Sequence, residues 1–182
     1  MAKIPYLDKA DLAPADHDLL ERPLTAYRAL AHSPQTLRKW SALVGHFANH
    51  SKLNPRLREL ALVQIGWLSR SAYEWSHHVK IGLDVGVTDS DIRKMSVESA
   101  GTATDLDPAA RLVLRAAREM FNQAEVPQST LDELQQILDK ECLVDLVVMM
   151  SFYVGIVRLL STFGIDVEPA YQPYLDRYPL PV

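Results

Sequence analysis

Six times along this 182-residue chain a short polar residue announces a helix. Ser33–Pro34, Asn54–Pro55 and Asp107–Pro108 each put a side-chain acceptor just before a proline. Such a side chain satisfies orphan backbone N–H groups, and proline suits the first helical position. Ser71-x-x-Glu74, Thr88-x-x-Asp91 and Thr130-x-x-Glu133 have the spacing of capping boxes. Glycines follow at Gly86 and Gly164, where helices can stop. The apolar residues between these signals recur at helical spacing, as in Leu57, Leu60, Ala61, Val63, Trp67 and Leu68. No convincing two-residue alternation is present. The chain is therefore expected to be all-α, a compact bundle of antiparallel helices.

The expected helices cover residues 15–21 and 23–30, 34 to about 49, and from 55 through the Glu59 run. Others run from 71 to about 83, from 88, from 108 to 120, from 130 to about 140, and from about 141 to 163. Residues 1–13 read as an extended arm, bounded by Pro5 and Pro14. The final stretch, EPAYQPYLDRYPLPV, is too rich in proline for a long helix, yet its three tyrosines are costly to leave in solvent. It is expected to pack on its own domain or on a neighbouring subunit. LRELALVQIGW and LVDLVVMMSFY each place a carboxylate, Glu59 or Asp145, early in an apolar helix. That echo fits either a duplicated unit or two similar amphipathic helices.

The net charge of −4 is spread along the chain with no basic stripe, so nucleic acid is not an expected partner. MAKIPYLDKADL lacks an apolar signal core, and a cytoplasmic protein is expected. The longest uncharged apolar run, Leu146 to Val157, falls short of the roughly 20 residues of a bilayer span. It reads as a core helix, so no membrane partner is expected. The single cysteine, Cys142, rules out an intramolecular disulfide and a cysteine-rich zinc site. Standing in an apolar run, it reads as an inert packing residue.

The segment from Asn54 to Met95 holds the residues most able to do chemistry. Glu59 sits early in an apolar helical run. It could simply pair with Arg56 or Arg58, or its pKa could be raised by neighbours such as Val63 and Trp67. Glu74 and His78 stand four residues apart and can touch on one helical face. A carboxylate there would orient the ring and favour the imidazolium. Glu74 could equally close the capping box with Ser71. Ser71 lacks the strand-to-helix elbow of a nucleophilic serine, so capping is its expected role. His77, adjacent to His78, is expected to face solvent if His78 faces inward. His46 and His50 have the spacing of two zinc ligands on one helix face, but no third ligand is evident, so no metal site is expected. Trp40, Trp67 and Trp75 read as core. The scattered glycines form no phosphate-binding loop, and no cofactor is expected.

These residues resemble the carboxymuconolactone decarboxylase-like superfamily, which includes the alkyl hydroperoxidase D proteins. The resemblance is carried by RELALVQIGWLSRSAYEWSHHVKIGLDVGVTDSDI. Its elements are R-E-L, then Y-E-W-x-x-H, then G-V-T-x-x-x-I, within about residues 35–125. It implies a compact helical bundle of the alkyl hydroperoxidase D-like type, assembled as a dimer, trimer or hexamer. In the peroxidase branch a Glu is followed by C-x-x-C and then a His. By spacing, the Glu and His correspond to Glu59 and His78, and the two cysteines to Ser71 and Glu74. The chain therefore resembles a branch without the redox cysteines. A thiolate is the nucleophile in dithiol chemistry, and serine cannot replace it.

The resemblance divides the chain into an arm with short helices (1–34), the decarboxylase-like core (35–125), completing helices (126–165) and a Pro/Tyr-rich tail (166–182). It implies a cofactor-independent enzyme, with carboxy-lyase as the class expected, acting by proton transfer on a small organic acid or lactone. Glu59, His78, Glu74 and Ser71 are the candidate catalytic residues. Tyr73, Trp75, Arg58 and Arg70 are the candidate substrate contacts, an arginine being suited to hold a carboxylate. Two rivals are an antioxidant peroxidase role despite the missing cysteines, and a non-catalytic binding or scaffold protein.

Overall fold

The computed structural model describes residues 2–181; Met1 and Val182, the outermost residues of the expected arm and tail, lie outside the described residues. Its helices are α1 (Thr25–Leu30), α2 (Pro34–Asn49), α3 (Pro55–Ser69), α4 (Ala72–Asp84), α5 (Asp89–Ser99), α6 (Pro108–Gln123), α7 (Gln128–Leu134), α8 (Lys140–Phe163) and α9 (Gln172–Arg177). Two 3-10 segments, Lys9–Asp11 and Pro14–Leu20, precede them, and no strand forms among the described residues.

Most of the expected start signals act as caps. Asn54 accepts from the backbone N–H groups of Arg56 and Leu57, Asp107 from that of Ala110, and Ser71 from that of Glu74. Thr88 and Asp91 form a complete capping box. Ser33 instead turns its hydroxyl to that of Thr36. Thr130 differs more. Its helix begins two residues earlier, behind Pro127, and its hydroxyl donates to Glu119 on α6. That helix also ends earlier than expected, because i→i+3 bonds from Gln136 and Ile137 tighten the chain into turns. Asp139 then caps α8, and Gly164 stops it at φ 64°.

Helix α3 lies at the centre and is buried on every side along its middle. Every residue from Arg58 to Gly66 is buried. One face, with Ala61, Leu62 and Ile65, packs into a core shared with Val113 and Ala117 of α6 and with Leu146 and Met150 of α8. The other face, with Leu60 and Val63, joins Trp75 and Val79 of α4, Ile92 and Met95 of α5, and Leu114 of α6. A third cluster ties Leu19 and Leu20 to Leu30 and Leu37. At 24 residues, with an 18-residue window of mean hydropathy 2.0, α8 is long and apolar enough to cross a membrane by length and composition. Here it contributes Leu146, Met149, Met150 and Leu160 to the core, while Val144 and Val148 remain exposed.

Helices α3 and α4 approach closely at Gly66. A Cβ there would lie 3.0 Å from the backbone N and Cα of Trp75. Between them Arg70 takes a left-handed conformation, φ 52°, and reverses the chain. This tight corner brings the start of α3 beside the middle of α4.

Both ends fold back on the same chain. Lys3 N–H donates to the carbonyl of Phe163, and the Tyr6 hydroxyl reaches Asp166. In the tail, Tyr171 and Tyr178 are buried, and the Trp75 indole donates to the Tyr178 carbonyl at 2.7 Å. Of the two expected locations for the tail, the described residues take the one on their own domain.

Candidate active site

Glu59 occupies the second turn of α3, where burial of the helix on all sides leaves its carboxylate no water. The structure supplies partners. One oxygen accepts from Arg58 Nε at 2.9 Å, and the other lies 2.7 Å from His78 Nδ1. Arg58 also donates to the carbonyls of Phe47 and Ala48, at 3.0 and 3.3 Å. Burial pushes the Glu59 pKa up, but His78 and Arg58 outweigh it and hold the carboxyl below its usual range. Of the two alternatives raised by the sequence, the ion pair with Arg58 forms, and the raised pKa is corrected: the charges of His78 and Arg58 overcome the effect of burial.

Glu74 is one turn before His78 on α4. Its backbone N–H goes to the Ser71 cap, while its side chain turns to the histidine. Oε1 lies 3.2 Å from His78 Nε2, off the line of a hydrogen bond, so this buried oxygen has no formed hydrogen bond. Burial raises the Glu74 pKa to about 7; the His78 charge opposes the rise and the Glu59 charge adds to it. Burial lowers the His78 pKa, but Glu74 and Glu59 reverse the effect and leave it above its ordinary value. The three groups titrate as one cluster. At neutral pH Glu59 is a fixed carboxylate, Glu74 is close to half-ionised, and the two carboxyl groups favour the imidazolium form of His78.

All three side chains border a cavity of about 150 Å³. Its walls are mostly apolar, from Trp40, Phe47, Leu62, Ile156 and Leu160. Tyr153 closes one side, its ring edge-on to His78 with centroids 5.2 Å apart and planes at 85°. Arg22 sits exposed on the cavity's rim and donates to the Tyr171 hydroxyl, with no ion pair among the described residues.

The candidate residues divide between this cavity and elsewhere. Glu59, Glu74, His78, Arg58 and Tyr73 line it. Ser71 does not; it is the α4 cap. Arg70 is exposed at the corner between the helices. Trp75 faces the opposite core, where its ring lies 5.3 Å from that of Trp67. The expectation that His77 faces solvent is corrected. His77 is as buried as His78, because the tail covers it: its ring is stacked between Tyr73 and Tyr171, and Nε2 lies 2.7 Å from Glu168. His46 points to Asp145 at 3.4 Å, and His50 is exposed. Among the described residues no cluster of three His, Cys, Asp or Glu is arranged to hold a metal ion.

Sequence reasoning missed Arg22, His77 and Tyr153. Tyr153 carried a usable signal, since a phenol hydroxyl inside the apolar run VVMMSFYVGIV needs a partner or a purpose. Arg22 and the burial of His77 depend on how the N-terminal segment and the tail fold back, which no local pattern reveals.

The fold and site define a helical bundle built around a buried Glu–His pair. Residues 34–119 match the carboxymuconolactone decarboxylase family. No curated protein matches the sequence. Among solved structures, the chain is similar to an uncharacterized peroxidase-related protein with an alkylhydroperoxidase AhpD core from Ralstonia eutropha JMP134. That match has TM-score 0.79 and 17% identity, and covers 96% of this chain and 95% of the other. It is also similar to the debrominase Bmp8, crystallised as a cysteine-to-alanine variant with 2,3,4-tribromopyrrole, at TM-score 0.77 and 16% identity over 98% of each chain. A third is a putative antioxidant defence protein AhpD from Agrobacterium tumefaciens, at TM-score 0.68 and 19% identity over 76% of this chain and 94% of that one. At these identities the likeness establishes the fold.

Proposed function

We propose that the chain is a proton-transfer enzyme that acts, without a cofactor, on a small organic acid or lactone. The observation that carries this reading is Glu74. It is a buried carboxyl on an apolar cavity, with an oxygen free of hydrogen bonds and a pKa near 7. A general acid–base group works best when its pKa lies near the working pH. Glu59, held by Arg58, fixes the orientation of the His78 ring. His78 in turn presents Nε2 and its positive charge to the cavity. Glu74 takes or gives the proton. In a decarboxylation the carboxylate leaves as carbon dioxide, its bonding pair passes into an enolate, and protonated Glu74 delivers a proton to carbon. Arg58 is occupied by Glu59 and two carbonyls, so Arg22 on the rim is the cation proposed to receive the substrate's carboxylate.

The peroxidase reading gains nothing from Cys142. Its thiol is buried at the start of α8, away from the cavity-lining residues, and burial pushes its pKa up.

The test is a panel of small lactones, keto acids and hydroxy acids incubated with the protein in deuterated water. Proton NMR follows deuterium incorporation at carbon and substrate loss. At least one compound should react, and Glu74→Gln should abolish the reaction. Reaction at the wild-type rate in Glu74→Gln would overturn the assignment.

A further inference from the structure

We propose that Tyr153 is a further catalytic residue, and that the substrate is an enolisable carbonyl compound whose oxygen the Tyr153 hydroxyl receives as it becomes an oxyanion. This rests on the proton-transfer reading above and adds the group that reading lacks. Moving a proton on or off carbon beside a carbonyl leaves negative charge on oxygen, and the site must supply a donor for it.

Tyr153 comes from α8, outside the residues that match the family. It lines the cavity together with Glu74 and His78, and its edge-on contact with the His78 ring fixes its orientation. The residue is only 6% exposed, yet no hydrogen bond to its hydroxyl forms among the described residues. The hydroxyl itself is not sealed from solvent, so it is a donor that no protein group occupies, on a residue that lines the cavity with Glu74 and His78. Other buried aromatic polar groups nearby are satisfied: the Trp75 indole has the Tyr178 carbonyl, and the Tyr73 hydroxyl reaches Glu168 at 3.4 Å. Burial, with the Glu74 and Glu59 charges, keeps the Tyr153 phenol protonated far above neutral pH. It is thus a permanent donor.

The step balances with groups already present. Ionised Glu74 removes the proton from the carbon beside the carbonyl, and the C–H pair becomes the C=C bond of an enolate. The carbonyl π pair moves to oxygen, which accepts a hydrogen bond from Tyr153 while the His78 imidazolium lies alongside. Protonated Glu74 returns the proton to carbon, and the charge collapses back to the carbonyl.

4-Nitrophenol is a probe that needs no turnover. Its ring suits the apolar walls, its oxygen stands in for the oxyanion, and its absorbance reports ionisation. Nitrobenzene is the control without the oxygen. The full chain and Tyr153→Phe are titrated with both at pH 7, with circular dichroism to confirm the fold. Tyr153→Phe should weaken 4-nitrophenol about tenfold or more, as expected for a hydrogen bond to a charged acceptor, and leave nitrobenzene within about twofold. Equal affinity of the two proteins for 4-nitrophenol would overturn the proposal. So would an equal loss for both probes, which would make Tyr153 a wall and nothing more, or no binding by the wild-type chain. Failure of the deuterium panel with success here would indict the choice of substrates or the role of Glu74. Success there with failure here would indict Tyr153 alone.

Discussion

Glu74 Oε1 lies 3.2 Å from His78 Nε2 without a formed hydrogen bond, while Glu59 holds the other ring nitrogen at 2.7 Å. The ring is thus fixed on one side and open on the other. Removing the open-side carboxyl should remove the chemistry and spare the fold. Glu74→Gln should lower deuterium exchange roughly 10²- to 10⁴-fold, the usual worth of a positioned acid–base group, with an unchanged circular dichroism spectrum.

The cluster also predicts how stability varies with pH. The folded Glu74 pKa, about 7, lies above its ordinary value of 4.5. Between these values the folded protein holds a proton that the unfolded chain has released, so stability falls as pH rises through the window. The raised His78 acts in the same direction: its contribution is complete below the ordinary histidine value and is lost as pH rises through the folded one. Glu59 is lowered, and Glu168 is lowered to about 2, so their contributions are present above the ordinary carboxyl range and lost as pH falls through the folded values. Maximal stability is expected near pH 5. Thermal melts should show a midpoint roughly 5 °C or more lower at pH 8. In Glu74→Gln that fall should shrink, by up to about 3 kcal/mol of stability at pH 8.

Gly66 sets the distance between the helices that carry Glu59 and His78. Its missing Cβ would meet backbone, which cannot rotate away. Gly66→Ala should therefore push α4 off α3, cost about 1–3 kcal/mol as overpacking does, and lower exchange activity with Glu59, Glu74 and His78 all intact. Chemical denaturation and the deuterium assay read the two effects separately.

The tail is a structural cover for this site. Glu168 accepts from the Thr25 backbone N–H at 2.7 Å, lies 2.7 Å from His77 Nε2, and is followed by the Tyr171 ring stacked on His77. Truncation after Glu168 should uncover His77 and Trp75, shift tryptophan emission to the red and lower the melting temperature. Light scattering on the same pair of proteins tests the proposed homo-oligomer. The tail of the described chain lies on its own helices, so the assembly should survive truncation.

Much of this fold could be read from local chemistry, because Asn54, Ser71, Thr88 and Asp107 act as caps where their neighbours in sequence demand it. Part of the site could be read too: an i, i+4 carboxylate and histidine share a face whatever surrounds them. Ser71 and Glu74 showed the limit. Two uses of the Glu74 side chain fitted the same spacing, and only the position of Glu59, 19 residues from His78, selects the histidine. Trp75 and Arg70 fell away from the cavity for the same reason: a left-handed residue at Arg70 decides which face of α4 meets α3. Tyr153 and Arg22 reach the cavity through contacts far apart in sequence.

The chemistry depends on a Glu74 carboxyl that titrates near neutral pH, and carboxyl NMR tests this without any substrate. With ¹³C-labelled glutamate, one side-chain carboxyl resonance should titrate near pH 7 and be missing from Glu74→Gln. A spectrum in which every glutamate titrates below about pH 5, or in which the neutral-pH resonance survives in Glu74→Gln, would contradict the account.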